Sequence, residues 1–219
     1  MLELIPALRT KSKQSILCLG AHSDDIEFGC GGTVLRLLKD YGECDVTWVV
    51  FSAKAQRKRE AMISAKRFLK DAKTSAIITK AFKESFFPYH GEAIKACFEA
   101  LKARFDPDLI FTHYRHDLHQ DHRVISDLTW NTWRNHFILE YEIPKYDGDL
   151  GAPNTFVPLS ETLARGKAGL LWKCFETQRA KQWFAEETFL SLMRLRGIEC
   201  NASDKYAEGF YARKTVLQF

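Results

Sequence analysis

Two short runs concentrate the residue types that bind metal ions and move protons. The first is Ala21-His22-Ser23-Asp24-Asp25. The second runs from His113 to His122 and holds His113, His116, His119 and His122, four of the chain's seven histidines at a uniform spacing of three, with Asp117 and Asp121 between them. Imidazole and carboxylate ligate borderline divalent ions, and two imidazoles with one carboxylate make a three-ligand site that leaves a position open for chemistry. A His-x-x-Asp turn and a His-x-x-His start of a helix can supply that set. The first run also holds one carboxylate more than the ion needs. Asp24 and Asp25 are adjacent, so on a regular backbone their side chains point different ways, one to ligate and one to face water at the ion. Water at a catalytic zinc has a pKa of ~7, and a neighbouring carboxylate then serves as general base. Either run alone reads as ordinary polar loop. Together they equip the chain for metal-assisted hydrolysis of an amide or ester.

The elements around the runs place them at the same edge of a sheet. Ile16 to Leu19 is a short apolar run ending just before the first cluster, and Leu109 to Thr112 is another ending just before the second. Between them lie a helix over 33–41, a β-branched and aromatic strand over 46–51 (VTWVVF), a very basic helix over 54–70, a strand over 76–79 and a helix over 91–105 broken by Pro107. Alternating strands and helices predict an α/β fold, Rossmann-like, with a mostly parallel sheet and helices on both faces. In such sheets ligands bind beyond the carboxyl ends of the strands, where both clusters fall. Past His122 a helix is expected to about 137 and a strand over 138–143. Residues 144–158 contain Pro144, Pro153 and Pro158 with Gly148 and Gly151, and read as a long loop. The part from 161 to 196 reads as helical and aromatic-rich. No repeat or linker is visible, so 1–219 is read as one domain.

Composition narrows the class without naming a function. The 219 residues are 46% hydrophobic and 27% charged, ordinary for a globular protein and wrong for a disordered or fibrous one. No apolar run approaches the ~18 residues of a membrane span, and the start, MLELIPALRTKSKQ, lacks the basic-then-apolar layout of a secretory signal. Six scattered cysteines without a CxxC pair read as reduced thiols, which together with the missing signal predicts a cytoplasmic protein. A formal net charge of +4 is too small to suggest nucleic acid as partner. A small molecule is the expected partner, and a homo-oligomer is compatible with the sequence.

The run AHSDDIEFGCGG, followed far downstream by HQDH, resembles the PIG-L/LmbE-like family of zinc N-deacetylases. That family carries His-Pro-Asp-Asp after the first strand and His-x-x-His later, on a Rossmann-like sheet, and removes acetyl groups from N-acetylglucosamine units in glycolipids, thiol cofactors and antibiotic precursors. The resemblance covers roughly residues 15–125. Ser23 replaces the family's proline, which implies a change in loop stiffness and not in chemistry. Carried over residue by residue, the resemblance implies Zn2+, with other divalent ions such as Fe2+ able to bind, on His22, Asp25 and His122. It makes Asp24 the base. His119, three residues before His122, faces the same cavity and donates to the developing oxyanion or the departing amine, with Asp121 orienting it. Arg57 with Glu60 fits a family Arg-x-x-Glu pattern and is read as a substrate contact, and Tyr206-Ala207-Glu208-Gly209-Phe210 resembles a family ending, so Tyr206 and Glu208 are read as substrate-binding.

Other signals have plainer readings. Gly29, Gly31 and Gly32 suggest a phosphate loop but do not form GxGxxG, and they are read as letting the metal loop turn tightly into its helix. A nucleotide-binding Rossmann-like module would use these glycines and leave the histidines unexplained. A non-haem iron(II) enzyme would use the same two histidines and carboxylate, and the extra Asp24 favours hydrolysis over it. The basic residues from Lys54 to Lys73, Arg57 apart, read as a solvated helix face. His113 and His116 read as spare loop histidines, and Trp130, Trp133, Trp172, Phe175, Trp183, Phe184 and Phe189 as chiefly core.

Overall fold

A computed structural model describes residues 14–216; the N-terminal run read above for a targeting signal lies almost wholly outside the described residues. Seven strands form one sheet: β1 (Gln14–Gly20), β2 (Cys44–Val50), β3 (Thr74–Thr79), β4 (Leu109–His113), β5 (Phe137–Tyr141), β6 (Thr155–Leu159) and β7 (Tyr206–Tyr211). Their order is β3-β2-β1-β4-β5-β7-β6. The first five are parallel, and β7 is antiparallel to both its neighbours. Six helices accompany them: α1 (Asp25–Tyr41), α2 (Ala55–Phe68), α3 (Gly91–Lys102), α4 (Gln120–Thr132), α5 (Glu161–Cys174) and α6 (Glu186–Glu199). Among the described residues no helix is long and apolar enough to cross a membrane.

The strand period of two explains the two cores. In β1, Leu17 and Leu19 pack with Ile94, Phe98 and Leu101 of α3 and Ile125 of α4. The alternate residues Ile16 and Cys18 pack on the other face, with Val34 and Leu38 of α1, Phe68 of α2, Leu171 of α5 and Phe189 of α6. A strand buried on both faces must be apolar throughout, which is why β1 reads as a continuous apolar run. From β1 the chain winds outward through β2 to β3, then returns to place β4 on the other side of β1. Right-handed crossovers therefore put α1 and α2 on one face and α3 and α4 on the other. The carboxyl ends of β1 and β4 diverge at this reversal, which opens a crevice. His22 lies two residues past the end of β1, and His113 is the last residue of β4.

Several element boundaries differ from the sequence reading. The helix expected over 33–41 starts at Asp25, so Gly29, Gly31 and Gly32 lie inside α1 and not in a turn before it. Their poor helix propensity is overridden by packing. A Cβ on Gly29 would stand 2.1 Å from the Tyr141 ring, one on Gly31 2.6 Å from Phe68, and one on Gly32 2.5 Å from a Leu159 methyl. The segment 144–158 is not loop to its end, because Thr155–Leu159 forms β6. Pro158 is tolerated there because β6 is the sheet's edge strand, with β7 on one side only. The helical stretch over 161–196 is two helices separated by residues 175–185, which include a 3-10 turn at Glu176–Gln178, and the ending Tyr206–Tyr211 is the strand inserted between β5 and β6. The helix after His122 starts at Gln120 and stops at Thr132, since β5 begins at Phe137.

Candidate metal centre

The loop after β1 and the start of α4 converge at the crevice. His22 Nδ1 lies 3.2 Å from His122 Nε2 and 3.4 Å from Asp25 Oδ2, and the third side of the triangle, His122 Nε2 to Asp25 Oδ2, is 3.6 Å. Ligands held at 2.0–2.2 Å on a tetrahedral zinc stand about 3.4 Å from one another, so the three donors fit such an ion. His119 and His113 stand beside them. His22, His119 and His122 form one set of donor atoms within 4.8 Å of each other, and Asp25, His113 and His122 form another. The donor chemistry, two imidazoles and a carboxylate, is that of a borderline divalent ion.

Both candidate ligand rings, His22 and His122, are held by carboxylates on their far side. His22 Nε2 meets Asp121 Oδ2 at 3.0 Å, and His122 Nδ1 meets Asp117 Oδ2 at 2.9 Å. Each contact engages one ring nitrogen and turns the other toward the centre. Asp121 is itself fixed by the N–H groups of Ser85, at 2.6 Å, and Phe87, at 3.0 Å. Ser85 presents its N–H from the left-handed region, φ 67°. The family resemblance gives Asp121 to His119; its carboxylate instead orients His22, and only its backbone N–H reaches His119, donating to Nδ1 at 3.2 Å. Asp117, which has no role in the sequence reading, orients His122. Its signal is its place inside the histidine run, but a five-residue separation across a turn and a helix start does not reveal a contact.

His119 is the N-cap of α4. Because Nδ1 accepts the Asp121 N–H, the neutral ring carries its proton on Nε2. The ring packs against His122 with centroids 4.5 Å apart and meets His22 edge-on at 4.9 Å. It is only partly buried, whereas His22 and His122 are buried. His113 is a correction. It is fully buried, its Nε2 accepts the Ala21 N–H at 3.0 Å and lies 3.2 Å from Asp25 Oδ2, and its ring stacks on His122 at 3.9 Å. It braces the ligands from the sheet side, whereas His116 is exposed as expected.

Asp24 and Asp25 diverge as adjacent side chains on a turn must. Asp25 Oδ2 accepts the His22 N–H at 2.6 Å and faces the histidines. Burial raises the Asp25 carboxyl, but His122, His22 and His113 outweigh it and hold it well below the usual carboxylate range. Asp24 Oδ1 instead accepts from Arg57 Nη2 at 2.8 Å. Burial pushes Asp24 up to about 6, against the pull of Arg57 and with the push of Asp25. A buried carboxyl poised near neutrality suits a general base. Burial lowers His22, yet Asp25 and Asp121 outweigh it and carry it to about 10. Burial, with His113 beside it, pulls His122 down to about 3.

Arg57, expected to meet substrate, reaches Asp24 and also lies 3.4 Å from the Ser23 carbonyl. Glu60 serves another purpose: its carboxylate accepts the Thr177 N–H at 2.9 Å and hydroxyl at 2.5 Å, pinning the turn after α5 onto α2. Tyr206 and Glu208 are not brought to the donor triangle. Tyr206 packs beside Leu159, Ala164 and Met193. Glu208 is buried, and its carboxylate accepts from Gly32 N at 2.8 Å, Thr33 N at 2.6 Å and Lys167 Nζ at 2.6 Å. Gly32 is seven residues along α1 from Asp25, about 10 Å of helix rise away. Lys167 Nζ also donates to the Phe28 carbonyl at 2.5 Å. The pair therefore clasps α1 from within the fold.

Solved structures of known proteins share this fold. The conserved protein TT1542 from Thermus thermophilus is 18% identical with a TM-score of 0.72, over 94% of this chain and 97% of that one. An N,N'-diacetylchitobiose deacetylase from Pyrococcus horikoshii is 22% identical with a TM-score of 0.70, over 90% and 82%. GalB, a 4-carboxy-2-hydroxymuconate hydratase from Pseudomonas putida, is 15% identical with a TM-score of 0.74, over 94% and 98%. A deacetylase and a hydratase on one scaffold show that the fold alone does not select the reaction. The sequence does more. Residues 17–133 match the family model of PIG-L, GlcNAc-PI de-N-acetylase, a span that includes both histidine- and aspartate-bearing runs. With more than half of its length inside that match, the chain belongs to the PIG-L family of deacetylases.

Proposed function

We propose that the protein is a zinc-dependent hydrolase that removes the N-acetyl group from an N-acetylated amino sugar of the N-acetylglucosamine type, giving a free amine and acetate. The observation that carries this reading is the donor triangle of His22, Asp25 and His122 with a second carboxylate, Asp24, beside it that does not ligate. A zinc ion held by these three residues supplies Lewis acidity, polarising the acetyl carbonyl and acidifying water. Asp24 takes the proton of the attacking water as its oxygen bonds to the acetyl carbon. The His119 Nε2–H donates to the carbonyl oxygen as negative charge develops there. The carbon–nitrogen bond then breaks, and the proton held by Asp24 passes to the departing amine, so water is consumed and acetate and amine are released. Arg57 holds Asp24, while Asp117 and Asp121 hold the ligand rings. The phosphate-cradle alternative loses support, because its glycines lie inside α1 against Tyr141, Phe68 and Leu159. Ferrous iron would use the same donors, and metal analysis of the purified protein separates the two ions.

The adjacent aspartates give the test. Asp24→Asn removes the base and leaves the ligands, so zinc should stay bound while acetate release falls roughly 10²–10⁴-fold, the scale of general-base loss. Asp25→Asn exchanges an anionic ligand for a neutral one and should lose zinc as well as activity. Metal content is measured beside acetate release from a panel of N-acetyl sugars and nucleotide sugars. Loss of zinc from Asp24→Asn with retention by Asp25→Asn would exchange the two roles. Full zinc and full activity in both would end the deacetylase reading.

A further inference from the structure

The loop after β5 reaches back to the metal centre through one lysine. Lys145 is nearly buried, and its ammonium group donates to Asp149 Oδ2 at 2.5 Å and the Ile143 carbonyl at 3.3 Å and forms an ion pair with Asp117 Oδ2 at 2.9 Å. Asp117 Oδ2 is the same oxygen that meets His122 Nδ1, and Asp117 Oδ1 accepts the His119 N–H at 2.8 Å. Asp149 Oδ2 in turn accepts the Leu118 N–H at 2.7 Å. The side chains of Lys145, Asp149 and Asp117 are 10%, 6% and 2% exposed, so the contacts lie out of bulk water.

We infer that Lys145 and Asp149 are positioning residues for the metal ligand His122, acting through Asp117. Asp117 belongs to a turn three residues ahead of α4, which does not by itself fix the direction of a side chain. Two groups from the 144–150 loop supply what the turn lacks. Lys145 holds the carboxylate oxygen that orients His122, and Asp149 holds the backbone on the other side of Asp117. A pin for the loop alone would need only the Asp149–Leu118 contact. The further sharing of Asp117 Oδ2 between Lys145 and His122 places the loop in series with the ligand, so a change that lifts the loop loosens His122. An ammonium between two buried carboxylates also cannot be removed quietly, because it leaves uncompensated charge that rotates toward other partners.

This inference rests on the proposed metal site, and the experiment separates the two. Full-length wild type, Lys145→Met, Lys145→Arg and Asp149→Asn are titrated with zinc against a competing chelator, and the thermal midpoint of each is measured after the metal is stripped. Outer-shell partners of a ligand change metal affinity roughly 10–100-fold. Lys145→Met should bind zinc about tenfold more weakly or worse, Lys145→Arg should recover part of that loss, and Asp149→Asn should weaken binding in the same direction. Asp149→Asn removes charge without shortening a side chain, so it carries the test if Lys145→Met fails to fold. Wild-type zinc affinity in all three variants, with only the metal-free midpoint lowered, would make the lysine a structural pin and overturn the inference. A wild type that takes up no stoichiometric zinc would overturn the metal site itself, and the inference with it.

Discussion

Two neighbouring carboxyls, on consecutive residues, are driven in opposite directions by what surrounds them. Three histidines hold Asp25 ionised, while burial lifts Asp24 to about 6 against the Arg57 guanidinium and the smaller pulls of Lys181 and His22. In the proposed reaction Arg57 is therefore part of the base's chemistry. A base must be ionised to act, so kcat/KM should rise with pH as Asp24 loses its proton. Arg57 lowers that pKa, and removing it should move the acid limb of the profile upward by about one pH unit, the ordinary influence of one nearby charge. The measurement is the pH dependence of acetate release for Arg57→Ala against wild type. An unmoved limb with a raised KM would return Arg57 to the substrate contact that the family resemblance implies. Arg57 and Asp24 are each legible as residues of interest, but a pairing across 33 positions is invisible to motif spacing.

At the scale of elements, the first helix is held by residues far from it in sequence. Around Phe28 to Thr33, Lys167 from α5 donates to a carbonyl and Glu208 from β7 accepts from two N–H groups. Both charges are buried, so breaking the pair from one side is severe. Glu208→Leu should lower unfolding stability by about 3–5 kcal/mol, and the double variant Lys167→Met with Glu208→Leu should recover much of that loss. Denaturant unfolding of the two variants and the wild type reads this directly. Equal loss in the single and double variants would show that the helix N–H groups, and not the stranded lysine, carry the cost. The glycines of α1 follow the same logic: they look like a turn by propensity and are helical because aromatic and aliphatic neighbours occupy the space a Cβ would need.

For the molecule as a whole, one buried acid ties stability to pH. Glu27 lies in α1 with Ser64 beside it, and burial pushes its carboxyl up to about 8. The unfolded chain releases that proton near pH 4.5, whereas the folded protein keeps it until about 8. Between those values the unfolded state binds fewer protons, so stability falls as pH rises, and the loss is complete above the folded value. At pH 7 this amounts to about 3 kcal/mol, at roughly 1.36 kcal/mol per pH unit. Glu27→Gln keeps the shape without the proton. In chelator-treated protein it should exceed wild type by roughly 1 kcal/mol at pH 5.5 and about 3 kcal/mol at pH 7. A stability gap that does not widen with pH would mean that Glu27 is ionised in the folded protein.

The amino-acid sequence by itself determined the class of fold and the side chains brought to the crevice. Strands buried on both faces must be continuously apolar, which made β1, β2 and β4 legible, and a ligand set drawn from two strand ends needs only local spacing to be recognised. The two runs that hold His22, Asp24, Asp25, His119 and His122 were visible that way, and the family resemblance supplied the role of each residue within them. Only the tertiary structure decided how they are held. Asp117 behind His122, Asp121 behind His22, His113 beneath the ligands and Lys145 beneath Asp117 are contacts between segments whose separation in sequence carries no periodic signal. The same is true of β7, whose six residues become an inner strand only because β5 offers an open edge and β6 needs a partner. Local patterns record what a segment buries and which way it faces. The partners of a buried polar group are chosen after folding, by whichever charged or hydrogen-bonding atoms the sheet order brings within about 3 Å.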